Sequence, residues 1–395
     1  MKEDFIHFLW KYKLFTTGQL LTTNGQTLEI IQTGSANPDA GPDFSAAQLK
    51  IDGTLWAGNV EIHVNSSDWY RHGHQHDEAY SNIILHVVMN HDKEVTDKSG
   101  NEVPVFEVKK YFDASIFYKY EQIINSRAWI PCESFIHEAD SFIVVNWLNR
   151  LLVERLENKA AEILKFYHYF DNSWEQTFYY FLARNFGFKV NASPFALLAQ
   201  HTPYKILLKR EYNFLKHKYD LTPIDESLWK FGKLRPPNFP TIRIAQFARL
   251  IHVSENLFSK ITEHTTAKEI STLFNVQCSP YWSDHYRFDK NSGKKDKRLG
   301  ISAIENIIIN TIVPLKFVYG AESMRPEVKD QAINLITELP TERNTIINQW
   351  IKTGIQPDNA GEGQALLELK KYYCTPKKCL HCAIGHNLVR KKNDG

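Results

Sequence analysis

The stretch GPDFSAAQLKIDGTLWAGNVEIHV (residues 41–64) sets Asp43 at the entrance of an otherwise apolar run, with Glu61 and His63 near its end. An ionised group in an apolar strand is costly unless it finds a partner. Alternate residues of a strand share a face, so Ala57, Asn59, Glu61 and His63 point one way, with Glu61 and His63 about 7 Å apart by strand rise. The Asp52-Gly53 pair midway is a hairpin signal. Closing that hairpin carries Asp43 toward Glu61 and His63. Two carboxylates held close repel unless a cation lies between them, and a hard divalent ion such as Mg²⁺ or Mn²⁺ is the usual solution. Such an ion lowers the pKa of a bound water and neutralises charge on a scissile phosphate. The bland alternative is a structural Asp turn beside an edge-strand acid.

Two further clusters carry chemistry. SSDWYRHGHQHDEAY (66–80) opens with Ser and Asp in capping positions, which predicts a helix, with Gly73 as the one point where it could break. A continuous helix would place Asp68, His72, His76 and Tyr80 in one stripe and Trp69, Gly73 and Asp77 in the next. His74 and Asp77 are the residues selected as reaching the acids; the histidines also suit a softer ion such as Zn²⁺. YYCTPKKCLHCAIGH (372–386) holds Cys374, Cys379 and Cys382 as C-x4-C-x2-C, with His386 close behind. Thiolates so spaced can surround one Zn²⁺ or join an iron–sulfur cluster. Cys132 in WIPCES is the more informative fourth ligand, and Cys278 reads as a small buried hydrophobe.

The elements that must position these groups fall mostly in the first 110 residues. KEDFIHFLWKYKL (2–14) puts Phe5, Phe8, Leu9 and Tyr12 on one helical face. TLEIIQTG (27–34), FSAAQLKI, LWAGNVEIHV, NIILHVVMN (82–90) and VPVFEV (103–108) read as strands. Beyond Tyr111 the pattern is almost wholly helical, with clear helices at 142–167, 173–187 and 302–320 and a break at RPPNFP (235–240). The expected architecture is therefore α+β: an αβββαβ core over residues 1–112, then a helical region over 113–395 ending in the cysteine cluster. With 395 residues, 43 % of them hydrophobic, the chain has material for two or three domains. Its net charge of +2 neither demands nor excludes nucleic acid. The local basic clusters are KNSGKKDKR (290–298) and VRKK (389–392), and LWKFGKLRPPNFPTIRIAQFARL (228–250) mixes aromatics with Arg235, Arg243 and Arg249, candidates for phosphate contact. The acidic start after Met1, the lack of a long uncharged apolar run and the odd cysteine count predict a cytoplasmic protein with no membrane contact.

An αβββαβ order with Asp at the mouth of the second strand and an acid-x-base pair on the third resembles the core of the PD-(D/E)XK nuclease superfamily. Pro42-Asp43 stands for the PD element and Glu61-Ile62-His63 for (D/E)XK. The resemblance implies Mg²⁺ or Mn²⁺ held by Asp43, Glu61 and the Ile62 carbonyl, support from Glu29, and DNA or RNA as substrate. The departure is His63 where the superfamily has Lys, an imidazole mostly neutral at pH 7 in place of a fixed cation. GPDF, WAGNVEIHVNSSDW, HGHQHD, YSNIILHVV, SPYWSDHYRF and the cysteine run are also similar, nearly end to end, to an uncharacterised bacterial domain-of-unknown-function family. Three functions follow as expectations: a metal-dependent nuclease, a non-catalytic nucleic-acid- or protein-binding module on the same core, and a zinc hydrolase using the HGHQHD histidines.

Overall fold

The computed structural model describes residues 3–16, 18–202, 204, 224–254 and 256–391; Lys392 of the basic VRKK tail lies outside them. The fold is mixed α/β and divides into two units, one formed by Met1–Ile143 with Tyr373–Gly395, the other by Val144–Tyr372. The boundary thus falls later than residue 112, and the cysteine segment belongs with the strands rather than with the helices. The physical reason is packing: the C-terminal helix Ala383–Arg390 lies against the helix Ala114–Asn125, and Lys377 donates to the carbonyls of Ile124 and Ser126 at that helix's end.

The first unit opens with α1 (Glu3–Lys11), whose Phe5, Phe8 and Leu9 are buried as the helical spacing requires. Seven strands follow: β1 (Leu20–Leu21), β2 (Thr27–Gln32), β3 (Ser35–Ala36), β4 (Phe44–Ile51), β5 (Thr54–Asn65), β6 (Ile83–Asn90) and β7 (Val105–Glu107). They form one sheet in the order β1-β2-β4-β5-β6-β7, with β3 also on β4. β4 and β5 are antiparallel through a tight turn in which Asp52 and Gly53 both take positive φ, 46° and 77°. β6 runs parallel to β5 and β7 parallel to β6, so the polar ends of β5 and β6 emerge together. Gly58 permits that approach, since a Cβ there would sit 2.5 Å from Ile84 Cγ2 and 2.8 Å from the Asn82 carbonyl.

Between β5 and β6 the expected helix is broken. Only Asp68–Arg71 is α-helical, because Gly73 takes the left-handed conformation (φ 78°) and the chain continues as two single turns, His74–His76 and Glu78–Tyr80. The i+4 stripes therefore do not form. Trp69 anchors the segment in a cluster with Tyr80, Val88, Val95, Val103 and Val105. Burying one tryptophan of that size contributes on the order of 5 kcal/mol.

The second unit is mostly helical, with one short antiparallel strand pair at His285–Arg287 and Lys290–Asn291. The long helix Ser141–Tyr169 and the helix Trp174–Phe186, capped by Ser173, match the sequence pattern. Gly187 ends the latter with φ −72°, not left-handed; a Cβ there would meet the Asn191 carbonyl at 2.2 Å, so the glycine serves close helix packing. The run Ile301–Glu322 contains a π-helical stretch at Ile308–Ile312. It is the one helix among the described residues long and apolar enough to cross a membrane, and 72 % of its most apolar window is buried inside the protein, as in a core helix. In the basic loop, Lys297 is buried and its ammonium donates to the carbonyls of Trp282 and Ser283.

Candidate metal centre

The register Phe44↔Val60 sets Asp43 opposite Glu61 at the mouth of β4 and β5. The two residues are interlocked through the backbone. The Asp43 amide donates to Glu61 Oε2 at 3.1 Å, and Asp43 Oδ2 accepts the Ile62 amide at 2.9 Å. Each acid thus satisfies a donor on the other's strand, which explains how apolar strands tolerate both. Glu61 is 4 % exposed; desolvation raises its carboxyl above the usual range, His74 opposes that, and the Asp43 charge pushes it further up.

The opposite face of Glu61 meets a cluster of imidazoles. Glu61 Oε1 lies 3.2 Å from His74 Nε2 and 3.6 Å from His63 Nε2. His63 Nε2 is 3.0 Å from His72 Nδ1, and His63 Nδ1 is 2.8 Å from His86 Nε2. His63 and His86 are essentially solvent-free. Burial, reinforced by the neighbouring histidines, lowers His63 to about 3 and holds His86 well below its usual value, so both are neutral at pH 7. His74 is aimed by its aromatic neighbours: its ring stacks on Tyr80 at 3.8 Å and meets Trp69 edge-on at 5.4 Å.

Beside Asp43, α1 contributes His7, whose Nε2 is 3.4 Å from Asp43 Oδ2. Desolvation opposes charge on His7, yet Asp43 and then Glu3 and Asp4 raise it above the usual imidazole value. Glu3, His7 and Asp43 can bring one ligand atom each within 4.8 Å of one another, and so can His63, His72 and His74. Glu61 stands between the two groups.

The geometry brings together Asp43, Glu61, His63 and His74 and leaves out others. Asp77 is exposed and caps the turn that follows, accepting the Ala79 amide at 2.9 Å. Its removal from the cluster follows from the break at Gly73. Glu29 lies outward on β2, 3.4 Å from Lys50 across the strand pair. Sequence reasoning missed Glu3 and His7, which sit beside the apolar face of α1, and His86. A signal for His86 existed: it is a lone imidazole inside the apolar strand IILHVVMN.

All four selected cysteines are buried and free of disulfides. Burial pushes the Cys132 thiol up to about 12, with Cys382 and Cys379 close enough to raise it further, and Cys379 likewise rises to about 12 under burial and Cys382. Cys374 ends the preceding helical turn, where its carbonyl accepts the Lys377 amide. Gly385 lets the last helix sit on this knuckle, since a Cβ there would lie 2.3 Å from the Cys379 carbonyl. His386 faces α1, with its ring 4.1 Å from Tyr12 and 5.1 Å from Phe8.

Of the three arginines, Arg235 is exposed and Arg249 lines a cavity of about 780 Å³ with Lys294 and Lys295. Arg243 is not available to a phosphate. It is 6 % exposed, donates to Asn238 Oδ1 and Gln246 Oε1, and stacks on Phe188.

No curated protein and no solved structure matches the chain. A family match covers residues 3–211 and 204–345, most of both units. The chain belongs to the family described as protein of unknown function (DUF2851).

Proposed function

We propose that the protein is a metal-dependent phosphodiesterase of nuclease type, acting in the cytoplasm on DNA or RNA, built on a PD-(D/E)XK-like arrangement of α1 and β2 to β6. The observation that carries this reading is the interlock of Asp43 and Glu61 at one strand mouth, with imidazoles on both sides. The donor set fits a divalent cation: two carboxylates lie close enough for Asp43 to raise Glu61, and a cation relieves that repulsion. Asp43 and Glu61 are the residues that would hold Mg²⁺ or Mn²⁺. When bound, such an ion neutralises phosphate charge and acidifies a water.

His63 takes the position of the usual Lys. Neutral and engaged at both ring nitrogens, it orients a water or a neighbouring imidazole and supplies no fixed positive charge. Arg249 with Lys294 and Lys295 forms the candidate phosphate-binding group of the helical unit. The buried cysteines 132, 374, 379 and 382 are the residues that would hold a structural Zn²⁺, with an iron–sulfur cluster as the alternative; the Cys132 and Cys379 thiols, raised by burial, become stable thiolates only beside a cation.

The test is nicking of plasmid, single-stranded DNA and RNA with Mg²⁺ or Mn²⁺, comparing wild type with Asp43→Asn and Glu61→Gln. Metal-dependent cleavage abolished by both substitutions is expected. Binding of nucleic acid with cleavage no greater than that of the variants would favour a second reading, a non-catalytic binding module, which the neutral His63 also favours.

A further inference from the structure

The imidazole side of Glu61 carries geometry that the carboxylate pair does not need. Four atoms converge there from three separate pieces of chain: Glu61 Oε1 and His63 Nε2 from β5, His72 Nδ1 after the short helix, and His74 Nε2 from the turn that follows. The closest separations are 3.0 Å (His63 to His72), 3.2 Å (His74 to Glu61) and 3.6 Å (His63 to Glu61), and the three imidazoles each bring a ring nitrogen within 4.8 Å of the others. Zinc–nitrogen bonds of about 2.05 Å at tetrahedral angles require ligand–ligand edges of about 3.3 Å. These are the three closest of the six edges and they bracket that length; His72 and Glu61 lie farther apart, so the exposed His72 is the ligand that swings in on binding.

A second observation points the same way. His74 is 9 % exposed and its Nε2 makes no hydrogen bond, although it lies within 3.2 Å of a carboxylate oxygen. The ring nitrogen is near the acid but not directed along a hydrogen bond to it, as expected where both atoms face a common point. The support of His63 is also that of a metal ligand. A hydrogen bond joins its Nδ1 to Nε2 of the buried His86, which fixes the ring's orientation and turns Nε2 to His72 and Glu61. Left-handed Gly73 is what folds His74 back toward His63, so the HGHQHD run delivers only its first two histidines; His76 is exposed.

We infer that His63, His72, His74 and Glu61 form a tetrahedral site for a zinc-class transition ion, with His86 as the positioning residue. The site is distinct from the oxygen-rich Asp43 side, shares Glu61 with it, and stands whether or not the protein cleaves nucleic acid.

The experiment uses the full chain, stripped with chelator and titrated with Co²⁺ and Zn²⁺ in the absence of nucleic acid. Tetrahedral cobalt on nitrogen and oxygen gives ligand-field absorption without the sulfur charge-transfer band that cobalt on the cysteines would add. The expected result is one sulfur-free cobalt component, lost in His72→Ala and in His74→Gln with Zn²⁺ affinity weakened by at least about 100-fold, more than the loss of a supporting group produces. His72 is exposed, so its replacement leaves the fold intact, which circular dichroism checks. Unchanged cobalt binding in folded His72→Ala overturns the inference. So does a sulfur-free component that vanishes in Asp43→Asn but survives in both histidine variants, which would assign the ion to the acid pair.

Discussion

Asp43 can be separated into its charge and its hydrogen bond. Its Oδ2 accepts the amide of Ile62, a residue with no solvent exposure. Asp43→Ala removes that acceptor, and an unsatisfied buried amide costs about 1–3 kcal/mol. Asp43→Asn keeps a carbonyl oxygen for the amide; it forfeits the attraction to His7 at 3.4 Å but also the repulsion that raises Glu61. Those opposing changes leave Asn within about 1 kcal/mol of wild type. The assay is hydrogen exchange of the β5 amides in chelator, so that cation binding does not contribute. Protection at Ile62 should fall by about 10- to 100-fold in Asp43→Ala, a tenfold change being about 1.4 kcal/mol, and by far less in Asp43→Asn. Both variants should lack cleavage. The reasoning is refuted if Asn exposes Ile62 as much as Ala does, or if Asn cleaves like wild type.

Three other outcomes are expected. His86→Leu removes the partner of His63 Nδ1 without touching the ion, and should weaken Zn²⁺ binding by about 10- to 100-fold with the cobalt spectrum retained; an unchanged affinity argues against the positioning role. Gly385→Ala drives a methyl into the Cys379 carbonyl, so it should cost about 1–3 kcal/mol and speed the reaction of Cys379 and Cys382 with a thiol reagent; unaltered thiol kinetics would contradict the close approach. Lys316, 1 % exposed and donating to the carbonyls of Ile261, Thr262 and His264, is lowered by burial to about 8. Between that value and the ordinary lysine range the unfolded chain binds more protons than the native one. Wild type should therefore gain stability relative to Lys316→Met as pH rises from about 8 to 10.5, by no more than about 3 kcal/mol, and a flat difference across that window would contradict the burial argument.

Much of this arrangement is visible in sequence because it rests on local rules. Alternation and the Asp52-Gly53 turn suffice to predict that Asp43 meets Glu61, and to set His63 on the same face. What local rules do not reach is tertiary placement. His7 belongs to a helix far from β5 in sequence, and its neighbours Phe5 and Phe8 advertise only an apolar face. The segment after β5 misleads for a different reason: Ser and Asp announce a helix, but one left-handed glycine redirects the chain, choosing His74 and discarding Asp77. Arg243 shows the converse error, a cation among aromatics that turns inward onto Phe188 and two amide oxygens.

The interrupted make-up of the first unit bears on its biosynthesis. Cys132 and the helix Ala114–Asn125 leave the ribosome before the whole helical unit, while Cys379, Cys382 and the helix that packs on them follow it. At translation rates of about 5–20 residues per second, the wait is on the order of ten to fifty seconds. A nascent chain in that interval carries an uncovered thiol and an unmatched apolar flank, the kind of surface that chaperones engage.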